Sequence, residues 1–155
     1  MDDIILSSTD SEARQAVFDE LSATWSHEVP VSLTASGSIF LQMNDNPVLC
    51  RFPTLPLGYV LVEIESPVLL DFVPPPDFYE LISVSQIRLG FGSLIVAAGE
   101  EVGQIMVAVS AKLFADGLTA AHLKRAIQFV HRTALEQIQI LENVTPPLGG
   151  RRAYA

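Results

Sequence analysis

The last third of the chain constrains the fold more than any other part. Two apolar runs rich in Ile and Val, Ser93–Ala98 and Gln104–Ser110, flank a short segment with a glycine at each end. This pattern predicts a β-hairpin. It is followed by apolar residues spaced three or four apart, which are Leu123, Ile127, Val130, Ala134, Ile138 and Leu141. Such spacing predicts one amphipathic helix from Leu118 to about Asn143, with Thr119 as a candidate cap and the apolar side covering the hairpin's sheet.

Helices and short strands are also predicted upstream of this hairpin. Thr9 and Glu12 have capping-box spacing, which places the start of a first helix here and its end near His27. A second helix is predicted after Pro74-Pro75-Pro76-Asp77, because proline is tolerated in a first turn. Four short strands are predicted between these helices: Val31–Ala35, Ser38–Met43, Val48–Phe52 and Tyr59–Glu65. The predicted fold class is therefore α+β, an antiparallel sheet (a meander plus the C-terminal hairpin) covered by N-terminal, middle and long C-terminal helices.

The length of 155 residues favours one domain, which we assign to residues 1–144. Residues 145–155 contain two prolines, two glycines and two arginines, and we expect a flexible tail there. Charged residues make up 17% of the chain, against roughly 25% in typical soluble domains. The mean hydropathy is +0.36. We therefore expect part of the apolar side chains to lie in an oligomer interface or a binding groove.

The net charge of −9 argues against nucleic acid and anionic membrane surfaces as partners, because both are bound by neutralising phosphates with Lys and Arg. No apolar run reaches the roughly 18 residues that a membrane-spanning helix needs. The chain begins Met1-Asp2-Asp3, which has the wrong charge for a secretory signal, and it contains one cysteine. These features predict a cytoplasmic protein without insertion into a membrane.

The residue types that usually carry chemistry give no catalytic pattern. Cys50 lies in an apolar strand without a neighbouring histidine, which favours a buried core thiol. His122 and His131 are nine residues apart on one helix and so lie on opposite faces, where they cannot bind the same metal. Glu63 and Glu65 are expected on a solvated strand face. We therefore predict no enzymatic activity, no cofactor and no metal.

Two proline-containing apolar segments, 52–59 and 69–74, are the more suggestive feature. They place large side chains where the local structure is predicted to be weak, and such residues can line a dimer seam or a peptide groove. The alternative is that they fold back on the core. The candidate interface residues are Phe52, Leu55, Leu57, Tyr59, Leu69, Phe72 and Phe78.

A family resemblance rests on the segment Gly103–Ser110, then Ala115–Thr119 and the helix beyond. With the order helix, meander, helix, hairpin, long helix over residues 8–143, it resembles the type III secretion chaperone-like fold, which includes secretion chaperones and bacterial YbjN-like domains. The resemblance implies a homodimer without a cofactor that binds a partner protein or peptide. This chain differs in an extra early strand pair and in the triple proline, and no site residue is carried over.

The sequence thus favours a non-enzymatic protein-binding domain, chaperone-like or adaptor-like, that holds a partner through apolar patches and a sheet edge. One alternative is a small-molecule-binding regulatory domain with its pocket between the sheet and the last helix. An enzyme is a third hypothesis, and it would require folding to bring Cys50 near His27 or His131.

Overall fold

The computed structural model describes residues 4–5, 9–25 and 27–144, and the predicted flexible tail lies outside these residues. The elements are, in chain order, β1 (Ile4–Ile5), α1 (Asp10–Trp25), β2 (Val31–Leu33), β3 (Ile39–Leu41), β4 (Val48–Arg51), β5 (Leu61–Phe72), α2 (Phe78–Arg88), β6 (Ser93–Ala98), β7 (Ile105–Phe114), β8 (Leu118–Thr119) and α3 (Ala120–Val144).

Six strands form one sheet in the order β2-β3-β4-β5-β7-β6, and every neighbouring pair is antiparallel. β1 and β8 form a separate two-stranded sheet. The meander β2 to β5 and the hairpin β6–β7 are joined where β5 pairs with β7. The predicted α+β class, with three helices on an antiparallel sheet, is confirmed.

β5 is longer than the sequence pattern indicates, since it continues past Glu65 to Phe72. The alternation in the sequence predicts this strand over Tyr59–Glu65 only, and proline, which cannot donate to a β-ladder, follows at position 67. Leu49 of β4 pairs with Glu65, so Pro67 lies beyond the first residue of β4, where no ladder bond is required. The register with β7 shifts after Pro67, and this irregularity absorbs the proline within a long strand.

Side-chain caps begin two of the helices, as the sequence predicts. The backbone N–H of Glu12 donates to Thr9 Oγ1 at 3.1 Å at the start of α1. The N–H of His122 donates to Thr119 Oγ1 at 3.2 Å at the start of α3. Each bond satisfies a donor that has no partner within its helix. α1 ends at Trp25, two residues before the predicted end.

The core lies between the three helices and one face of the six-stranded sheet. α1 contributes Ala13, Val17 and Leu21, and α2 contributes Phe78 and Ile82. The predicted stripe of α3 is buried at all six of its positions. The sheet contributes alternate residues of its strands, among them Leu41, Cys50, Val62, Ile64, Val107 and Val109. All three helices therefore pack their apolar sides against the same face of the sheet.

Candidate functional site

The opposite face of the sheet, here called the outer face, carries the intervening side chains of each strand. One row of directly paired residues crosses all six strands: Ser32, Phe40, Leu49, Glu65, Ser110 and Ser93. On one side of this row lie Arg51, Glu63 and Lys112, and on the other lie Pro67, Ala108 and Ile95. None of these described residues belongs to the hydrophobic core cluster.

The outer face is apolar over much of its area although none of the described helices packs its buried side chains there. Phe40, Leu49, Ile95 and Met106 are half-buried on it. Leu61 is 8% exposed and is likewise not part of the core cluster. An antiparallel sheet can leave one face to water, but that face is then usually polar. The centre of this face is closed to water, since Ala108 is 1% and Ser110 is 3% exposed. Its solvent-exposed apolar side chains lie at one end, and such an exposed cluster is typical of an interaction surface.

An aromatic corner, formed by Tyr59, Leu61 and Phe114, lies at one end of the outer face. The rings of Tyr59 and Phe114 meet edge to face with their centroids 6.1 Å apart. Tyr59 is 56% exposed and Phe114 is 60% exposed. Phe114 pairs directly with Leu61, so strands β5 and β7 fix these two residues of the corner. Tyr59 lies before β5, where the N–H of Leu55 donates to its carbonyl at 2.7 Å.

The turn 55–58 precedes this corner and holds an exposed leucine in an unfavourable backbone conformation. The N–H of Gly58 donates to the carbonyl of Leu55 at 3.0 Å, which closes the turn. Leu57 has φ = +79° and its side chain is 94% exposed. A β-turn with Pro56 second and a positive φ third usually has glycine or asparagine in that third position. The side chain therefore buries little apolar surface in this chain and is open to solvent.

The seven residues predicted for an interface fall into two groups. Leu55, Leu57 and Tyr59 are exposed, at or next to the aromatic corner. The prediction is wrong for the other four, which are buried in the core: Phe52, Leu69, Phe72 and Phe78. The continuation of β5 carries Leu69 and Phe72 into the core, and the ring of Phe78 packs on Phe72 with centroids 4.7 Å apart. The guanidinium of Arg14 lies over the ring of Phe52 at 5.8 Å.

Sequence reasoning missed Phe40, Leu49 and Phe114. The predicted second hairpin strand ends at Ser110, whereas β7 continues to Phe114. The alternation of Ala111 and Leu113 with Lys112 and Phe114 was the signal that could have extended it. Phe40 lies in a three-residue strand that is apolar at every position, and Leu49 lies in a strand whose first three residues are apolar, so little alternation distinguishes their two faces.

Glu65 is buried at the centre of the outer face, which corrects the expectation of a solvated carboxylate. It is 4% exposed, and Arg51 Nη2 lies 3.3 Å from its Oε2. The pKa of Glu65 is raised to about 7; burial is the largest cause, the side-chain hydrogen bond and negative charge of Glu63 act in the same direction, and Arg51 and Lys112 oppose the shift. Glu65 therefore retains a proton up to near neutral pH.

The residues considered for catalysis are poorly placed for it. Cys50 is fully buried, as predicted, and burial raises the pKa of its thiol to about 12. A nucleophilic cysteine requires a lowered pKa and access to substrate. Burial lowers the pKa of His131, with the charge of Asp45 opposing. Within the described residues, no group of three or more His, Cys, Asp or Glu side chains is placed to hold a metal ion.

Two surface cavities lie beside the hairpin. One has a volume of about 440 Å³ and is lined by residues around Phe91–Ser93 and Ser110–Leu113. The other, of about 250 Å³, lies between Leu70-Asp71 and the β6–β7 turn. No residue of α3 lines either cavity. The small-molecule hypothesis placed its pocket under that helix, so these two cavities lend it no support.

β6 is an edge strand that lacks the residues that usually prevent pairing with another chain. It reads Ser93–Ala98 without a charge or a proline, the two residue types that usually guard sheet edges. The side chain of Gln86 on α2 accepts a bond of 2.6 Å from the N–H of Leu94, which shows that this N–H points away from β7. By the alternation of a strand, the N–H groups of Val96 and Ala98 also point outward, where an added strand could bind them.

A search against protein-family models finds no match to this chain, and no curated protein matches it. Among the helices that the structure describes, none combines the length and the apolar composition needed to cross a membrane.

Proposed function

We propose that this chain is a non-enzymatic protein-binding domain, chaperone-like or adaptor-like, that acts as a homodimer and holds a partner protein or peptide. The observation that carries the proposal is the outer face, whose apolar side chains lie outside the core cluster. One row of this face is charged, with Arg51, Glu63 and Lys112, and its end is aromatic. Aromatic anchors beside polar groups are typical of protein–protein contacts.

The edge strand β6 adds the second part of the proposal. A partner segment in extended conformation would bind the outward N–H and C=O groups of Val96 and Ala98, and its side chains would contact the outer face. Main-chain bonds of this kind supply affinity without sequence specificity, which suits a protein that holds unfolded segments. The acidic net charge of −9 keeps such an apolar surface in solution.

Co-purification from the native host tests this function. The chain is expressed there with an affinity tag, and bound proteins are identified by mass spectrometry. Phe114→Asp disrupts the aromatic corner on the outer face, and Val102→Asp places the same charge on a fully exposed residue of the β6–β7 turn. We expect a protein in comparable molar amount with the wild type and with Val102→Asp, and its loss with Phe114→Asp. Equal recovery with all three chains would contradict the proposed surface.

Light scattering tests the homodimer. We expect a mass twice the 16.9 kDa of one chain at micromolar concentration. A mass of one chain throughout that range would remove the dimer from the proposal.

A further inference from the structure

β7 is longer than its edge partner, and the difference exposes main-chain groups at one end of the sheet. The pairing of β6 with β7 ends at Ser93 and Ser110, whereas β7 continues to Phe114. On its other side, β7 remains paired with β5 as far as Phe114 and Leu61. The stretch beyond Ser110 is therefore bound on one side only, and no described strand occupies the other.

The direction of the main-chain groups follows from the bonds around this stretch. The N–H of Ala115 donates to the carbonyl of Val60 at 3.0 Å. In this part of β7 the main-chain N–H and C=O groups of odd-numbered residues are therefore directed to β5. The main-chain N–H and C=O groups of Lys112 and Phe114 are then directed to the unpaired side of β7. These two residues present two N–H and two C=O groups in strand geometry, directly in line with the end of β6.

The backbone before β6 turns away from β7 at Gly92, so it does not pair with Lys112 and Phe114. Gly92 has φ = +78°, and a β-carbon there would lie 2.8 Å from the carbonyl oxygen of Ser110. The backbone thus passes close over Ser110 and turns away, which leaves the cavity of about 440 Å³. We call this cavity the β7 notch; Phe91, Gly92, Ser93, Ser110, Lys112 and Leu113 line it.

A buried polar atom at the β7 notch has no partner. Ser110 is 3% exposed, and its hydroxyl has no hydrogen-bond partner among the described residues. A buried hydroxyl without a bond costs free energy, and such groups are rare in folded proteins. Because Ser110 lines the notch, a ligand bound there could supply the missing bond.

The side chains around the β7 notch determine what would bind there. On the outer-face side Lys112 is exposed, and among the described residues that line the cavity it is the one cation. On the other side lie Leu113 and Phe91, whose ring contacts that of Phe129 with centroids 5.7 Å apart. An extended segment has alternate side chains on opposite faces, so one would meet a cation and the next an apolar surface.

We propose that the β7 notch binds an extended peptide segment that pairs with Lys112 and Phe114, with an acidic side chain beside Lys112 and apolar side chains against Phe91 and Leu113. The inference rests on the proposed function and specifies the partner's chemistry. Charge complementarity selects an acidic residue, and the unpaired amides select an extended backbone.

Nitrogen–proton correlation spectra with synthetic peptides test the site. The probe is the hexapeptide acetyl-TVDVTV-amide. Its controls are acetyl-TVKVTV-amide and a version of the probe that is N-methylated at the aspartate, whose amide would face β7. We expect the probe to shift the amide signals of Lys112 and Phe114 and to slow their hydrogen exchange at least fivefold. Both controls should bind at least fivefold more weakly, and Lys112→Glu should reverse the preference for aspartate over lysine.

The results that would overturn the site are distinct from failure of the proposed function. Shifts confined to Val96 and Ala98 would place strand addition at β6, which overturns the notch and leaves the proposed function standing. If millimolar probe shifts no amide of either strand, the notch is rejected, and co-purification then decides the proposed function separately. Equal affinity for the aspartate and lysine peptides at Lys112 and Phe114 would overturn the acidic partner.

Discussion

The guanidinium of Arg51 lies 3.3 Å from the carboxylate of Glu65 on the neighbouring strand, yet the two side chains differ greatly in exposure. The side chain of Arg51 is 52% exposed and that of Glu65 is 6% exposed. A largely hydrated cation offsets only part of the cost of burying a carboxylate. The pair therefore leaves the pKa of Glu65 at about 7, with burial as its main cause.

This raised pKa predicts that the protein is less stable at pH 7.5 than at pH 5. The folded chain retains a proton on Glu65 up to about pH 7, whereas the unfolded chain loses it near pH 4.5. Between these values the folded state binds more protons, so the free energy of unfolding falls as the pH rises. Urea titrations should show a fall on the order of 1–3 kcal/mol for the wild type. Glu65→Gln should lose this fall with rising pH, and parallel curves for the two proteins would contradict the prediction.

Cys50 should be chemically inert in the folded protein. Its thiol is buried and its pKa is raised to about 12 by burial, so almost no thiolate exists at pH 8. Thiolate is the form that reacts with alkylating reagents. Iodoacetamide should label Cys50 rapidly in denaturant and only at the rate of unfolding without it. Labelling of the folded protein within minutes would show an accessible thiol and would support the hypothesis of an enzyme that uses Cys50.

The buried stripe of α3 should dominate the stability of the helical layer. Ile127 is fully buried, and truncation to alanine removes buried apolar volume. Ile127→Ala is expected to lower the free energy of unfolding by about 2–5 kcal/mol. Ile140 on the same helix is 41% exposed and provides the matched control. Ile140→Ala should change that free energy by less than about 1 kcal/mol, measured by urea unfolding. Similar losses for both variants would contradict this arrangement of α3.

A substitution in the turn 55–58 should lower partner binding without lowering stability. Leu57→Gly removes a side chain from a backbone with positive φ, which non-glycine residues adopt at a cost of roughly 1–2 kcal/mol. Glycine loses more conformational freedom on folding, so the net change in the free energy of unfolding should lie between zero and about 1 kcal/mol of stabilisation. Partner recovery should fall nonetheless, because the exposed leucine is lost. Undiminished recovery would exclude Leu57 from the contact surface.

Local sequence patterns were sufficient for most of the fold and insufficient for the surface. The stripe of α3 and the cap at Thr119 are determined by neighbours in sequence, and both were predicted correctly. Phe72 was assigned to an interface because the prolines after it indicated weak structure, whereas pairing with β7 keeps it in a core strand. The burial of Glu65 depends on side chains from β4 and β7, whose register cannot be read from one strand alone.

Photo-cross-linking in the native host tests the central claim most directly. The photoreactive amino acid benzoylphenylalanine replaces Phe114 on the outer face or, as the control, Ile140 on α3. Both positions are exposed, at 60% and 41%. If the outer face binds a partner protein, illumination should give a discrete covalent adduct from position 114 and none from position 140. Adducts from position 140 alone, or from neither position while a bound protein still co-purifies, would contradict the account.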